Sequence, residues 1–120
     1  MKPGLSLTKQ ERLRDSRQFK EVYTWGRRLK GPHLAIFFMP NRLKTSRLGL
    51  SVTKKRFKLS ARRHYIRRRL REAYRLNKMR FLPGYDIIIT AFRFNKDKTS
   101  LEDIKKELLA LAQKAGLLKQ

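Results

Sequence analysis

Arginine dominates one short stretch of the chain, ARRHYIRRRLREAYR from Ala61 to Arg75, which holds seven arginines and a single acid, Glu72. Guanidinium groups bind phosphate through paired hydrogen bonds, so this composition is typical of a surface that holds a polyanion. The whole chain agrees, because 32 lysines and arginines against 9 acids give a formal net charge of +23. We therefore expect a polyanionic partner, since solubility alone requires far less charge.

Helical spacing divides this stretch into two bands, one of them apolar and suited to pack on a sheet. The apolar band comprises Ile66, Leu70, Ala73, Tyr74 and Asn77. The second band, which we call the basic ridge, comprises His64, Arg67, Arg68, Arg71, Arg75 and Lys78. Like charges one turn apart cost a helix about 0.2–0.5 kcal/mol per pair, so a merely solvated ridge would weaken its own helix. The ridge therefore predicts a nucleic acid as partner, ahead of a membrane surface, because the apolar band is small and is committed to the sheet.

Basic residues continue into the loop before this helix, at Lys54, Lys55 and Arg56. Aromatic residues occur elsewhere: Phe19 and Tyr23 are one helical turn apart. Phe37 lies in an apolar run. Taken singly, each aromatic residue is best explained as ordinary core. On a sheet face that helices cover only in part, aromatic rings beside cations are what single-stranded RNA stacks on. The residues alone leave both interpretations open.

Groups that could perform catalysis are sparse. A protein nuclease needs a general base with a nucleophile, or carboxylates that gather Mg²⁺. The nine acids are dispersed, and the two histidines, His33 and His64, are far apart in the sequence. Neither a phosphate-binding glycine loop nor a zinc-ligand spacing occurs. We expect no catalytic residue and no metal site in the polypeptide, which is predicted to bind without cutting.

No stretch of the sequence predicts export or insertion into a membrane. The longest uninterrupted apolar run is LAIFFM, and cysteine is absent. The first residues lack the apolar core of a signal peptide. We therefore expect a cytoplasmic protein that makes no membrane contact.

The elements that position these groups begin with a short helix. Ser16 is predicted to cap this helix, and Gly26 to end it. Residues 1–15 are predicted to form a mobile basic lead. Within that lead, Thr8 and Glu11 fit a capping box, which marks a second possible helix start.

The remaining elements follow from periodicity and turn residues. Two strands are predicted at 34–40 and 47–52, joined as a hairpin. The basic helix spans about 60–78, a central strand with two apolar faces lies at 85–92, and an amphipathic helix capped by Ser100 closes the chain at 101–111. The predicted fold is an α/β (α+β) two-layer sandwich in one domain, 1–120, with the order helix, strands, basic crossover helix, strand, helix.

Four segments, in this order, resemble the protein component of bacterial ribonuclease P: FKEVYTWG at 19–26, RLGLSVTKK at 47–55, the arginine-rich segment at 61–75 and YDIIITA at 85–91. The second and third, at this separation, are the most specific. The resemblance runs from Leu13 to about Leu111. It implies the ribosomal protein S5 domain 2-like fold, with a left-handed crossover through the basic helix.

The family's helix carries an Arg-Asn-Arg core, which reads Arg63, His64 and Tyr65 here. The resemblance carries over to Arg63 directly and gives His64 the hydrogen-bonding role of the asparagine. Tyr65 lacks the second arginine's charge, which Arg62 or Arg69 could supply. The basic ridge, the loop before it and the resemblance together predict these RNA-binding residues: Lys54, Lys55, Arg56, Arg62, Arg63, His64, Arg67, Arg68, Arg71 and Arg75. The resemblance implies that the basic helix faces the catalytic RNA.

The resemblance also implies a function. The chain would be the protein subunit of an endoribonuclease whose catalytic RNA, with Mg²⁺ held mainly by that RNA, removes the 5′ leader of precursor tRNA. Phe19, Tyr23 and Phe37 match the family's cleft for the single-stranded leader. The implied partners are the catalytic RNA and precursor tRNA, and no protein oligomer is required. Two alternatives stand beside it: a plain RNA-binding module such as a ribosomal protein, and an independent metal-dependent nuclease, which the dispersed acids disfavour.

Overall fold

The computed structural model of the chain describes residues 7–94 and 100–120. Its helices and strands are, in chain order, α1 (Ser16–Trp25), β1 (Arg27–Lys30), β2 (Leu34–Pro40), β3 (Arg47–Ser51), α2 (Ser60–Asn77), β4 (Tyr85–Ala91) and α3 (Leu101–Ala115). Short 3₁₀ turns lie at Lys9–Glu11 and Lys78–Arg80. The predicted α+β sandwich, with a basic helix between strands, is confirmed.

One mixed sheet in the order β1-β2-β4-β3 forms the centre of the molecule. β2 runs antiparallel to β1 and β4, and β3 runs parallel to β4. The predicted hairpin between β2 and β3 is therefore wrong, because β4 lies between them. Both faces of β4 are apolar, so it buries most surface at a central position.

The hairpin of this sheet joins β1 and β2, and β1 was not predicted from the sequence. Its four residues, RRLK, include one apolar side chain, Leu29, and so carry no strand pattern. Pairing of Leu29 with Ile36 places that side chain beside the core. The strand thus forms because β2 offers it a partner.

Helices lie on both faces of the sheet. Ile87 and Ile89 of β4 belong to the main core with α2 and α3, whereas Ile88 belongs to a smaller core with Val22 of α1. Successive strand residues point to opposite faces, so α1 lies across the sheet from α2 and α3. α2 connects β3 to the parallel strand β4, which confirms the predicted crossover.

Residues 7–15 pack on the sheet, in contrast to the predicted mobile lead. Leu7 and Leu13 are buried. The backbone N–H of Leu13 donates to Leu48 O at 2.9 Å, which extends the edge of β3. Residues 1–6 of the predicted lead lie outside the described residues.

The helix ends follow the capping rules, with one correction. Asp15, and not Ser16, caps α1, and its carboxylate accepts from Arg17 N–H at 3.0 Å. Gly26 ends α1 as predicted. The Glu11 carboxylate accepts from Thr8 N–H at 3.0 Å, as the capping box requires, but it closes only a 3₁₀ turn. The Ser100 hydroxyl caps α3 as predicted, and α3 extends past its predicted end.

Within residues 7–94 and 100–120, none of the helices combines the length and the apolar composition that crossing a membrane requires.

Candidate nucleic-acid interface

The apolar band of α2 is packed against the sheet as the helical spacing predicted. Ile66, Leu70, Ala73 and Tyr74 are all buried. Burial raises the pKa of Tyr74 to about 12, so its hydroxyl stays protonated at neutral pH. The sheet thus fixes the rotation of α2 and turns the other side of the helix outward.

The basic ridge lies along the outward side of α2. His64, Arg68 and Arg71 are exposed, and Arg67 and Arg75 are half-buried. Two members of the ridge already hold acids: Arg75 with Glu72, and Lys78 with Glu11. The part of the ridge that offers free guanidinium groups is therefore its middle, from Arg67 to Arg71.

Lys78 connects the end of α2 to the N-terminal segment. Its ammonium group lies 3.1 Å from both oxygens of Glu11, and its side chain is 8% exposed. Burial raises the pKa of Glu11, but hydrogen bonds from Thr8 N–H and Lys78 outweigh it, so the net pKa lies below its usual value. The contact of Lys78 with Glu11 therefore holds the N-terminal segment to the end of α2 and contributes to the stability of the fold.

Two arginines near the start of α2 bond to the backbone of neighbouring segments. Arg63 donates to the carbonyls of Phe57 and Lys58 at 2.8 and 3.0 Å, which fastens the preceding loop to the helix. Arg62 donates to Phe94 O, in the segment after β4. Both arginines are predicted to bind RNA. In the structure, each of them donates to the backbone of a neighbouring segment.

Tyr65 lies on the flank of α2 that faces α3, away from the ridge. Its ring meets Phe94 edge-on with centroids 6.0 Å apart. The Arg69 guanidinium lies 5.0 Å from the Tyr65 centroid, a cation–π contact. Arg69, one of the two residues that could replace the missing family arginine, is thus held over the tyrosine ring.

The loop before α2 brings its cations to the end of the sheet. Lys54, Lys55 and Arg56 are exposed. The Arg56 guanidinium lies 5.8 Å from the centroid of Phe92, and Lys30 Nζ lies 4.6 Å from the same ring. This pair of cations on one aromatic ring was not predicted from the sequence, because Lys30 belongs to β1, which carries no strand pattern.

The three aromatic residues predicted to form a cleft are brought together between α1 and the sheet. Tyr23 and Phe37 meet edge-on with centroids 4.7 Å apart, and Phe19 and Tyr23 are 6.4 Å apart. Tyr23 is 41% exposed, while Phe19 and Phe37 are partly buried at the edge of the smaller core. The rings are therefore partly core and partly accessible surface, and their stacking on RNA stays a prediction.

The cleft depends on a glycine in β3. A Cβ at Gly49 would lie 2.6 Å from Cζ of Phe19, closer than real contacts allow. The Phe19 ring thus rests directly on the strand backbone. Glycine at this position lets α1 approach the sheet closely.

The described residues show no group of three or more acids and histidines that could hold a metal ion. His33 is placed structurally, with Nδ1 2.9 Å from the Glu107 carboxylate, which also accepts from two backbone N–H groups. His64 stands alone on the exposed side of α2. The arrangement can bind phosphates and stack bases.

The sequence is similar to that of one family of known proteins. The sequence model of the family described as Ribonuclease P matches residues 7–116. A ribonuclease P protein component from Natranaerobius thermophilus is 34% identical over 108 residues, covering 90% of this chain and 92% of the relative. That of Syntrophobacter fumaroxidans is 41% identical over 101 residues, covering 84% of each chain.

Solved structures agree with the sequence comparisons. The ribonuclease P protein from Thermotoga maritima matches with a TM-score of 0.76 at 29% identity, covering 87% of this chain and 96% of that one. That from Staphylococcus aureus matches with a TM-score of 0.75 at 26% identity, covering 96% and 97%. Because the match extends over nearly all of the chain in sequence and in fold, this chain belongs to the ribonuclease P protein family, the protein subunits that take part in the 5′ processing of tRNA.

Proposed function

We propose that this chain holds precursor tRNA on the catalytic RNA of ribonuclease P, and that this RNA performs the hydrolysis that removes the 5′ leader. The observation that carries the proposal is the presence of two separate surfaces suited to RNA on one small protein. The basic ridge lies on α2, and the aromatic cleft lies on the opposite face of the sheet.

The basic ridge is assigned to the catalytic RNA. Its exposed arginines are held at helical spacing on a rigid element, which suits the regular phosphate spacing of a folded RNA. Arg68 and Arg71 are the residues expected to lose affinity most when truncated, since they are exposed and neither belongs to an ion pair seen among the described residues. Lys54, Lys55 and Arg56 extend the same surface into the loop before α2.

The aromatic cleft is assigned to the single-stranded leader. Stacking on aromatic rings is worth about 1–3 kcal/mol per base and tolerates any sequence, which suits leaders that differ among tRNA precursors. Phe19, Tyr23 and Phe37 supply the rings. Lys30 and Arg56, gathered on Phe92, supply cations further along the same sheet.

Mg²⁺ in this proposal belongs to the RNA. Two polyanions, the catalytic RNA and the leader, repel each other, and a protein of net charge +23 between them lowers that repulsion. Affinity for substrate and for Mg²⁺ then rises without any metal ligand from the protein. Because precursor tRNA is made in the bacterial cytoplasm, the proposal implies that compartment.

The test measures how two variants bind three RNAs: precursor tRNA, mature tRNA and the catalytic RNA. Phe19→Ala is expected to weaken binding of precursor tRNA by about 5- to 160-fold, since the loss of one stacked base costs about 1–3 kcal/mol, and to leave binding of mature tRNA and the catalytic RNA nearly unaffected. Arg68→Ala should weaken binding of the catalytic RNA and lower the magnitude of its salt slope by about one.

Three outcomes would overturn the proposal. Cleavage of precursor tRNA by the purified protein without added RNA would make the protein itself the nuclease. Equal affinity of the complex for precursor and mature tRNA would favour a plain RNA-binding module. Equal losses from Phe19→Ala on both substrates, in a variant with unchanged unfolding, would remove the leader from the cleft.

A further inference from the structure

His64 is the member of the basic ridge whose side chain can change its charge near neutral pH. It is exposed on α2, and its ring makes no hydrogen bond or ion pair with any described residue. The other histidine, His33, lies in the turn between β1 and β2, with Nδ1 2.9 Å from the Glu107 carboxylate. One titrating group therefore stands without a protein partner on the surface assigned to RNA.

The charged groups around His64 are cations on each neighbouring element. On α2 itself, Arg67 and Arg68 lie one helical turn away. The loop before α2 and the N-terminal segment add exposed cations: Arg12, Arg14, Lys54, Lys55, Arg56 and Lys58. The acid of α2, Glu72, lies two turns away and is paired with Arg75. Among the described residues, no acid thus contacts the ring as a counter-charge.

A histidine in such surroundings responds to phosphate. Imidazole is the side chain that changes its charge between about pH 5 and pH 8. The neutral ring donates through one nitrogen, whereas the protonated ring donates through both and carries a positive charge. In the free protein, this charge would add to a face that already repels itself. A phosphate beside the ring has the opposite effect, because a nearby anion favours the protonated form.

We infer that binding of the catalytic RNA to the basic ridge is coupled to the uptake of a proton by His64. The proton comes from solvent and adds to the unprotonated ring nitrogen, which becomes a second donor to phosphate. The affinity gained in this way is present at low pH and is lost as the pH rises and the bound ring releases its proton. This inference deepens the proposed function and rests on it for the identity of the RNA.

The test measures the affinity for the catalytic RNA from about pH 8 to about pH 5.5, at fixed salt and Mg²⁺ concentrations. The affinity of the wild-type protein should rise by about 3- to 10-fold, the effect of a phosphate that raises a histidine's pKa by about half to one unit. His64→Asn keeps a hydrogen-bond donor without a titrating charge, and its affinity should stay near the wild-type value at high pH. His64→Arg is charged throughout, and its affinity should stay near the wild-type value at low pH.

Calorimetry counts the protons directly. Titrations at about pH 7 in two buffers of different ionisation enthalpy should show that the wild-type protein takes up about 0.3 to 0.5 of a proton more than His64→Asn does. The matched control is His33→Asn, which removes the histidine that lies away from the ridge. This control should keep both the rise in affinity and the proton uptake, and thermal unfolding checks that each variant is folded.

A rise in affinity that His64→Asn shares with the wild-type protein, or equal proton uptake by the two, would overturn the inference. The proposed function fails by a different result, for which a structured RNA unrelated to ribonuclease P is the second probe. If the wild-type protein bound this RNA as tightly as the catalytic RNA at every pH, the subunit role would be wrong. A pH dependence that His64→Asn removes would still establish the proton coupling.

Discussion

The methyl group that Gly49→Ala adds to β3 is expected to displace Phe19 in the aromatic cleft. A Cβ at Gly49 would lie 2.6 Å from Cζ and 2.9 Å from Cε2 of the Phe19 ring, and 3.2 Å from Cβ of Leu13. Carbon atoms in contact are about 3.5–4.0 Å apart, so the ring must move by about 1 Å. Leu13 can move less, because its N–H donates to Leu48 O at 2.9 Å.

The change that Gly49→Ala causes in the free energy of unfolding is the sum of two opposed contributions. Overpacking costs about 1–3 kcal/mol, while replacing glycine where the backbone allows alanine returns about 0.4–1 kcal/mol. The backbone at Gly49 is compatible with alanine, since the glycines with positive φ among the described residues are Gly84 and Gly116. We therefore expect Gly49→Ala to lower the free energy of unfolding by about 0.5–2 kcal/mol.

A double-mutant cycle with Phe19→Leu tests this reasoning by urea unfolding at fixed salt. The shorter side chain makes room for the methyl group, so Gly49→Ala should cost about 1 kcal/mol less in that background. In the protein that keeps Phe19, Gly49→Ala should also weaken the binding of precursor tRNA more than the binding of mature tRNA. An equal cost in both backgrounds, or a gain in stability, would refute the contact between Gly49 and Phe19 as the cause.

Three further predictions concern the acids. Glu72→Gln frees its arginine partner on the ridge and should raise the affinity for the catalytic RNA and steepen its salt slope by up to about one, whereas the control Glu102→Gln on α3 should change neither; equal changes would show a net-charge effect. Because the pKa of Glu11 is lowered in the fold, its contribution is present above its ordinary value of 4.5 and is lost as the pH falls through the folded pKa. Glu11→Gln should therefore lower the free energy of unfolding at neutral pH by about 1–3 kcal/mol. Thermal unfolding at a series of pH values should show that the variant loses less stability on acidification than the wild-type protein does. If the variant lost as much stability below pH 4.5 as the wild-type protein, the prediction would be contradicted. Asp86→Asn should cost about 3–5 kcal/mol in urea unfolding, since it leaves a partly buried guanidinium without its counter-ion, and a loss under about 1 kcal/mol would show that the pair adds little.

Local features were predictable from the sequence. The buried band of α2 follows from a period of 3.6 residues, and that period alone places Ile66 and Leu70 on the sheet and Arg68 and Arg71 in solvent. The central position of β4 follows from its two apolar faces. Each of these properties depends on a few neighbouring residues, so no knowledge of the rest of the fold was needed.

Features that depend on distant partners were not predictable in the same way. β2 and β3 are consecutive apolar strands, and nothing local shows that β4 separates them. The segment at 7–15 looks like a basic tail because its two leucines form no periodic pattern. Leu13 is buried only because the edge of β3 accepts its N–H, and the arginines beside it reach the ridge for the same reason.

The acids of this chain show how a protein of net charge +23 can fold and yet keep its cations free. Eight of the nine acids lie among the described residues, and three of them join distant segments: Glu11 to Lys78, Asp86 to Arg47, and Glu107 to the turn at His33. These three acids connect elements of the fold. On the long helix α2, only Glu72 offsets the ridge. If RNA occupies the ridge as proposed, it relieves the repulsion that remains, and because a ligand that binds the folded state in preference to the unfolded one stabilises it, RNA should raise the stability of the protein. The surface that carries this repulsion is then the one through which the proposed complex would stabilise the chain.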